Sequence, residues 1–117
     1  MEFTVRKYDI LREIGLTQGV VEKKNTIPIL ANVLIDADGD RIQISATDLE
    51  LGIKCTCPAK IKKAGSITTP AKNFLDIIRA LPDDDIKVKS LENNWVQINC
   101  ASASFKIVGL PKDNFPN

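Results

Sequence analysis

The sequence predicts an α+β fold made of two β-α-β-β-β units related by pseudo-twofold symmetry, with two helices covering one side of the sheets. The predicted elements come in the same order in both halves of the chain. Each half also contains one stretch with helical periodicity followed by short alternating runs. A length of 117 residues suits one domain with a single core.

The first half opens with a short strand and a helix. Residues 3–5 alternate like a strand, and residues 7–19 carry apolar side chains at helical spacing. The apolar positions are Ile10, Leu11 and Ile14. This pattern predicts an amphipathic helix with one side directed at a core.

Three strands are predicted after this helix. Apolar runs at 29–36 and 41–46 flank Asp38 and Gly39, a pair typical of the turn in a β-hairpin. The next strand, 51–57, alternates in polarity. Its inward side chains are expected to be Leu51, Ile53, Cys55 and Cys57.

The second half begins after a lysine-rich stretch, 58–65, which we expect to be a solvated link. Residues 66–69 resume a strand, Thr69 is a candidate N-cap, and Pro70 suits the first position of a helix that extends over 70–81. The apolar side of this helix consists of Phe74, Leu75, Ile78 and Leu81. Its polar side consists of Lys72, Asn73, Asp76 and Arg79.

Three further strands complete the second half, at 86–91, 95–100 and 103–109, with turn residues between them. The second half therefore repeats the order of the first. If the two helices lie side by side against the sheets, their polar sides meet on one surface.

The composition excludes several kinds of active site. Histidine is absent, so serine–histidine–acid triads and histidine-ligated zinc have no residue to use. No glycine-rich phosphate loop occurs. A net charge of +1 with 44% apolar residues is typical of a soluble globular domain. Without a transmembrane run or a signal peptide, we expect a cytoplasmic protein that carries no cofactor.

The cysteines are expected to be reduced core residues. Their number is odd, and Cys55 and Cys57 would share one face of a strand, which is poor geometry for a mutual disulfide. Together with Cys100 they offer too few ligands for zinc in the absence of histidine.

The acidic clusters are better explained as turns than as metal sites. Asp36, Asp38 and Asp40 begin like a calcium loop, but the required glycine and the final acid are missing. Residues 83–85 could gather Mg²⁺ for a hydrolase, an alternative that stays open, although adjacent carboxylates in a turn diverge and repel. Asp48 is expected to accept hydrogen bonds from nearby backbone N–H groups.

Four segments closely resemble the start of the bacterial sliding clamp family, the β subunit of DNA polymerase III. They are TIPILANVL at 26–34, ATDLE at 46–50, TPAK-x3-DI-x-R-x-LP at 69–82, and SF-x4-LP-x3-FP at 104–116. The resemblance extends over residues 1–117. It implies the DNA-clamp fold, with the sheets on the outside and two helices on the inner face. It also implies that this chain is the first, N-terminal domain of a three-domain clamp, with the later domains absent from it.

The resemblance also implies a function. In the family, two subunits close head to tail into a homodimeric ring that encircles double-stranded DNA regardless of sequence. The ring confers processivity on the replicative polymerase and is itself not catalytic. Polymerase and clamp loader would bind through domains not present here. The alternative is a generic α+β interaction module that adds a partner's strand to an exposed edge.

The candidate DNA-binding residues are all basic. They are Lys7, Arg12, Lys23, Lys24, Lys72 and Arg79. The resemblance implies Lys24 and Lys72, whereas Arg12 and Arg79 come from the polar sides of the helices. The alternative explanation is that these residues only keep the helices soluble.

The resemblance places the dimer interface at the last strand, with Phe105 and Ile107 as apolar anchors. Alternatively, both side chains face this domain's own core. Asn73, Ser102 and Ser104 stand where the family often carries basic residues that form ion pairs across the interface. We therefore expect ion pairs to contribute less to the stability of this dimer interface than in family members that carry those basic residues.

Overall fold

The computed structural model describes residues 1–21, 28–48 and 51–116, and about half of these residues lie in strands. Helices α1 (Lys7–Val21) and α2 (Ala71–Ala80) lie among these residues. The strands are β1 (Glu2–Arg6), β2 (Asn32–Asp38), β3 (Arg41–Thr47), β4 (Gly52–Pro58), β5 (Lys60–Lys63), β6 (Gly65–Pro70), β7 (Asp85–Ser90), β8 (Trp95–Cys100) and β9 (Ala103–Val108). Short 3-10 turns occupy Pro28–Ala31, Glu92–Asn94 and Lys112–Asn114.

The two halves of the chain exchange their first strands. One antiparallel sheet has the order β5-β1-β7-β8-β9, and the other has the order β4-β3-β2-β6. Strand β1 thus pairs with β7 of the second half, and β6 pairs with β2 of the first half. If β5 is left out, the order β1-β7-β8-β9 of one sheet corresponds to the order β6-β2-β3-β4 of the other, with the two halves of the chain interchanged. The predicted repeat is confirmed, and the exchange joins both units into one body.

One hydrophobic core joins the sheets and the helices. Ile10 and Ile14 of α1 and Phe74 and Ile78 of α2 are fully buried in the same cluster as the inward residues of both sheets. The helices contact each other. The predicted apolar side of α2 is confirmed, since Leu75 and Leu81 are buried as well.

The expected link between the halves is wrong, because part of it forms strand β5. Lys60–Lys63 pairs with β1 at the edge of the five-stranded sheet. Ile61 lies opposite Phe3 and packs against the core. A single inward apolar side chain between outward lysines is enough for an edge strand, where lysine also discourages further pairing.

Two predicted strand starts are also wrong. The run 29–36 begins as the 3-10 turn Pro28–Ala31, and β2 starts only at Asn32. Leu51 is 56% exposed because β4 starts one residue later. The backbone N–H of Leu51 donates to Oδ1 of Asp48 (2.7 Å), which confirms the local role expected for that carboxylate.

Helix α2 starts one residue later than predicted. Pro70 is the N-cap, with φ −59° and ψ 120°, and no side chain caps the helix. Thr69 cannot cap it, because this residue belongs to β6 opposite Val33 and is fully buried. Its Oγ1 has no hydrogen-bond partner among the described residues.

The predicted hairpin turn is confirmed with a shift of one residue. Asp38 lies opposite Arg41, so Gly39 and Asp40 form the turn. Gly39 has φ +64°, a left-handed conformation in which glycine is favoured. Asn93 and Asn94 adopt similar values between β7 and β8, as asparagine tolerates.

Candidate functional site

The helices bring three of the candidate DNA-binding residues onto the surface. Arg12 lies on α1, and Lys72 and Arg79 lie on α2; all three are exposed. Because α1 and α2 are in contact and both bury their apolar sides in one core, their outward sides adjoin each other. This helical face, defined by Arg12, Lys72 and Arg79, presents exposed cations.

Lys7 performs a structural task at the edge of this face. Its Nζ donates to the carbonyl oxygens of Leu81 (2.5 Å) and Arg79 (3.3 Å). These carbonyls lie at the C-terminal end of α2, where they lack partners within the helix and the helix dipole favours a cation. The start of α1 is thereby tied to the end of α2, which leaves Lys7 the least available of the described candidates for a phosphate.

Arg12 is held in place by its neighbours on α1. Its Nε donates to Oε1 of Glu13 at 3.3 Å. The guanidinium carbon lies 5.9 Å from the ring centroid of Tyr8, within reach of a cation–π interaction. Sequence reasoning missed Tyr8, which is 69% exposed beside Arg12. The spacing of four residues on one helix could have indicated the pair.

Lys23 and Lys24 lie outside the residues that the structure describes. Their contact with DNA stays a prediction based on the resemblance.

The expected interface strand lies at an edge. Among the strands of the described residues, β9 has β8 as its neighbour on one side and none on the other side. Phe105 lies opposite Ile98 and is 39% exposed, whereas Ile107 lies opposite Val96 and packs against the domain's own core. Both side chains therefore project from the core face of the sheet, but Ile107 is covered by the core whereas Phe105 still offers apolar surface at the edge.

The acidic residues are engaged in local turns and pairs. Ser66 donates its hydroxyl to Asp36 across the β2–β6 pair. Asp84 accepts a hydrogen bond from the backbone N–H of Asp85 (2.7 Å), and residues 83–85 are exposed. Over residues 1–21, 28–48 and 51–116, no cluster of cysteine and acidic side chains is arranged to hold a metal ion. None of the helices in these segments is long and apolar enough to cross a membrane.

The cysteines are free and buried, as expected for reduced core residues. Burial, with smaller contributions from the negative charges of Asp9 and Glu13, raises the pKa of Cys57 to about 12. Burial also raises the pKa of Cys55 and of Cys100. These thiols stay protonated at neutral pH and are poor nucleophiles.

Comparison with known proteins agrees with the fold and with the sequence motifs. A family model described as the DNA polymerase III beta subunit, N-terminal domain, matches residues 1–117. The beta sliding clamp of Caulobacter vibrioides is 39% identical over 118 residues, which cover 99% of this chain and 32% of that protein. The beta sliding clamp of Vibrio harveyi is 36% identical over 119 residues, which cover 100% of this chain and 81% of that protein.

A solved structure extends this similarity to three dimensions. The DNA polymerase sliding clamp from Caulobacter crescentus matches with a TM-score of 0.95 at 38% identity, covering 100% of this chain and 32% of that one. The chain thus spans about a third of the length of most of these relatives. Since the family model matches every residue, the chain belongs to the family of DNA polymerase III β-subunit N-terminal domains.

Proposed function

We propose that this chain acts as the first domain of a three-domain sliding clamp, a homodimeric ring that encircles double-stranded DNA in the cytoplasm and keeps the replicative polymerase on its template. Its task is to hold DNA by enclosure, without catalysis. The names of the relatives and the share of their length that the chain spans support this proposal. Polymerase and clamp loader would bind through the other domains.

The helical face is the observation that carries the proposal. Arg12, Lys72 and Arg79 stand exposed on adjoining helices. Cations on such a surface contact phosphates without reading sequence, and a few weak contacts permit sliding. Lys24 and Lys23 would extend this surface. Lys7 would contribute to DNA binding indirectly, through its hydrogen bonds to the end of α2.

The edge strand β9 supplies the proposed seam to the second subunit. Its outer side is open to strand addition, and Phe105 offers apolar surface there. Asn73, Ser102 and Ser104 are exposed polar residues, so this seam would depend on backbone pairing and apolar contact more than on ion pairs.

An NMR titration of the chain with a short DNA duplex at low ionic strength tests the helical face. We expect shift changes centred on Arg12, Lys72 and Arg79, equal for two unrelated sequences. With two to four phosphates neutralised, the logarithmic salt slope should be about −2 to −4. The double variant Lys72→Glu/Arg79→Glu should weaken binding about tenfold or more, because attraction becomes repulsion.

The matched control is Lys54→Glu/Lys112→Glu, which makes the same change in net charge at exposed residues away from the helices. Its binding should stay within about threefold of the parent chain. Equal losses in both double variants, or shift changes centred on the sheets, would refute the helical face as the DNA-binding surface.

A further inference from the structure

The outer face of the five-stranded sheet concentrates positive charge. Its cations are Arg6, Lys60, Lys62, Lys87, Lys89 and Lys106, and its carboxylates are Glu2 and Asp85. The whole chain has a net charge of only +1. The excess of positive charge is therefore local to this face, which lies on the side of the sheet opposite to the core and the helices.

The strand register shows that the central lysines form a row across this face. Lys87 and Lys89 are exposed on either side of the buried Val88. Lys89 and Lys106 both lie opposite Gln97, on the two neighbours of β8. Directly opposed residues project from the same face of a sheet, so these three ammonium groups point outward together.

The two carboxylates of this face lie among its cations: Glu2 is opposite Lys89, and Asp85 lies on the same strand as Lys87. Lys62 pairs with Glu2 at 3.7 Å, and Arg6 lies opposite Asp85. Among the described residues, no carboxylate is recorded in an ion pair with Lys87, Lys89 or Lys106. Two carboxylates against six cations leave this face an excess of positive charge for an external anion.

An exposed aromatic ring stands beside the row. Trp95, the only tryptophan of the chain, is 43% exposed and lies opposite Val108, on the same face as Gln97. It lines a shallow groove of about 430 Å³ together with Leu91, Glu92 and Lys106. Cations next to an exposed ring are the combination that binds single-stranded nucleic acid, because phosphates meet the cations and an unpaired base stacks on the ring.

We propose that this sheet face binds single-stranded nucleic acid, with phosphates at Lys87, Lys89 and Lys106 and a base stacked on Trp95. The site is separate from the helical face proposed for duplex DNA. A duplex offers phosphates but no free base face for the ring. An acidic peptide such as polyglutamate could use the lysines, but it carries no planar base to stack on Trp95.

The tryptophan provides a direct test, because its fluorescence reports on this face alone. Titration of the chain with an oligothymidylate should quench the emission of Trp95. With about three phosphates engaged, the logarithmic salt slope for a single strand is about −2, so binding should weaken roughly 20-fold between about 50 and 200 mM salt. The double variant Lys87→Glu/Lys89→Glu should weaken binding at least tenfold.

The matched control is Lys72→Glu/Arg79→Glu, which changes the net charge equally but on the helical face. It should keep oligothymidylate binding within about threefold, and Lys87→Glu/Lys89→Glu should keep the duplex-induced NMR shifts of the helical face. The two proposals can therefore fail independently. The single-strand proposal is overturned if Trp95 is not quenched, if both double variants lose binding equally, or if a polyglutamate peptide binds as tightly as the oligothymidylate.

Discussion

Gly109 lies where the chain leaves β9 and crosses to the edge of β6. A β-carbon added there would stand 1.8 Å from the carbonyl oxygen of Thr68. The backbone N–H of Gly109 donates to the carbonyl of Asn94 (2.7 Å), and Leu110 bonds to Thr68 through its own N–H and carbonyl. The side chain of Thr68 donates to the Leu110 carbonyl as well (2.7 Å). Only glycine fits this crossing, because both backbones are held by hydrogen bonds.

We expect Gly109→Ala to lower the free energy of unfolding by about 3 kcal/mol, since the overlap involves backbone that cannot rotate away. The matched control is Gly15→Ala in α1, where an added β-carbon meets nothing within 4 Å. That variant should raise the free energy of unfolding by about 0.5–1 kcal/mol. Urea denaturation measures both, and similar values for the two variants would contradict the account of the crossing.

At the scale of elements, one long side chain reinforces the contact between the helices. Lys7 begins α1 and donates to two carbonyls at the end of α2. The cation satisfies carbonyl groups that the helix itself leaves without partners and complements the negative end of its dipole. It also fixes the relative position of the helices, and with it the spacing of the cations on the helical face.

Lys7→Met should lower the free energy of unfolding by about 1–2 kcal/mol, because it keeps the aliphatic stem but removes the charge-assisted hydrogen bonds. Lys72→Met removes the same charge from an exposed position of α2 and should change stability by less than about 0.5 kcal/mol. Thermal or chemical denaturation compares them. Equal changes in the free energy of unfolding for the two variants would show that the contact of Lys7 with the end of α2 does not stabilise the fold.

At the scale of the whole molecule, the exchange of first strands makes the halves depend on each other. Without β7, strand β1 keeps only the short edge strand β5, and without β2, strand β6 has no sheet. The buried residues of each half also lie against those of the other in one cluster. Each half on its own would therefore have an unpaired strand and apolar core residues exposed to solvent.

Separate fragments 1–64 and 65–117 are expected to be largely unfolded alone and to regain the native fold when mixed, as judged by circular dichroism and NMR dispersion. A fragment that lacks residues 1–6 should fail to restore it, because β7 then has no partner on that side. A well-dispersed spectrum from fragment 1–64 alone would contradict this interdependence.

Local patterns predicted much of this fold because they report burial directly. Phe74 and Ile78 fall on one side of α2 by helical spacing, and both are fully buried. The repeat of elements predicted two similar units, and the types and spacing of residues selected Arg12 and Arg79 as candidate contacts. Each of these inferences uses residues that lie within a few positions of one another.

The sequence by itself determined the elements, the inward sides of the helices and the family resemblance, because these follow from residue type and short-range spacing. Only the tertiary structure decided that Lys60–Lys63 forms an edge strand, that Lys7 bonds to the end of α2, and that Trp95 stands beside a row of lysines. The physical reason is the same in each case. A hydrogen bond between helices or a shared sheet face depends on partners that meet only when the strands pair and the helices pack in the folded molecule.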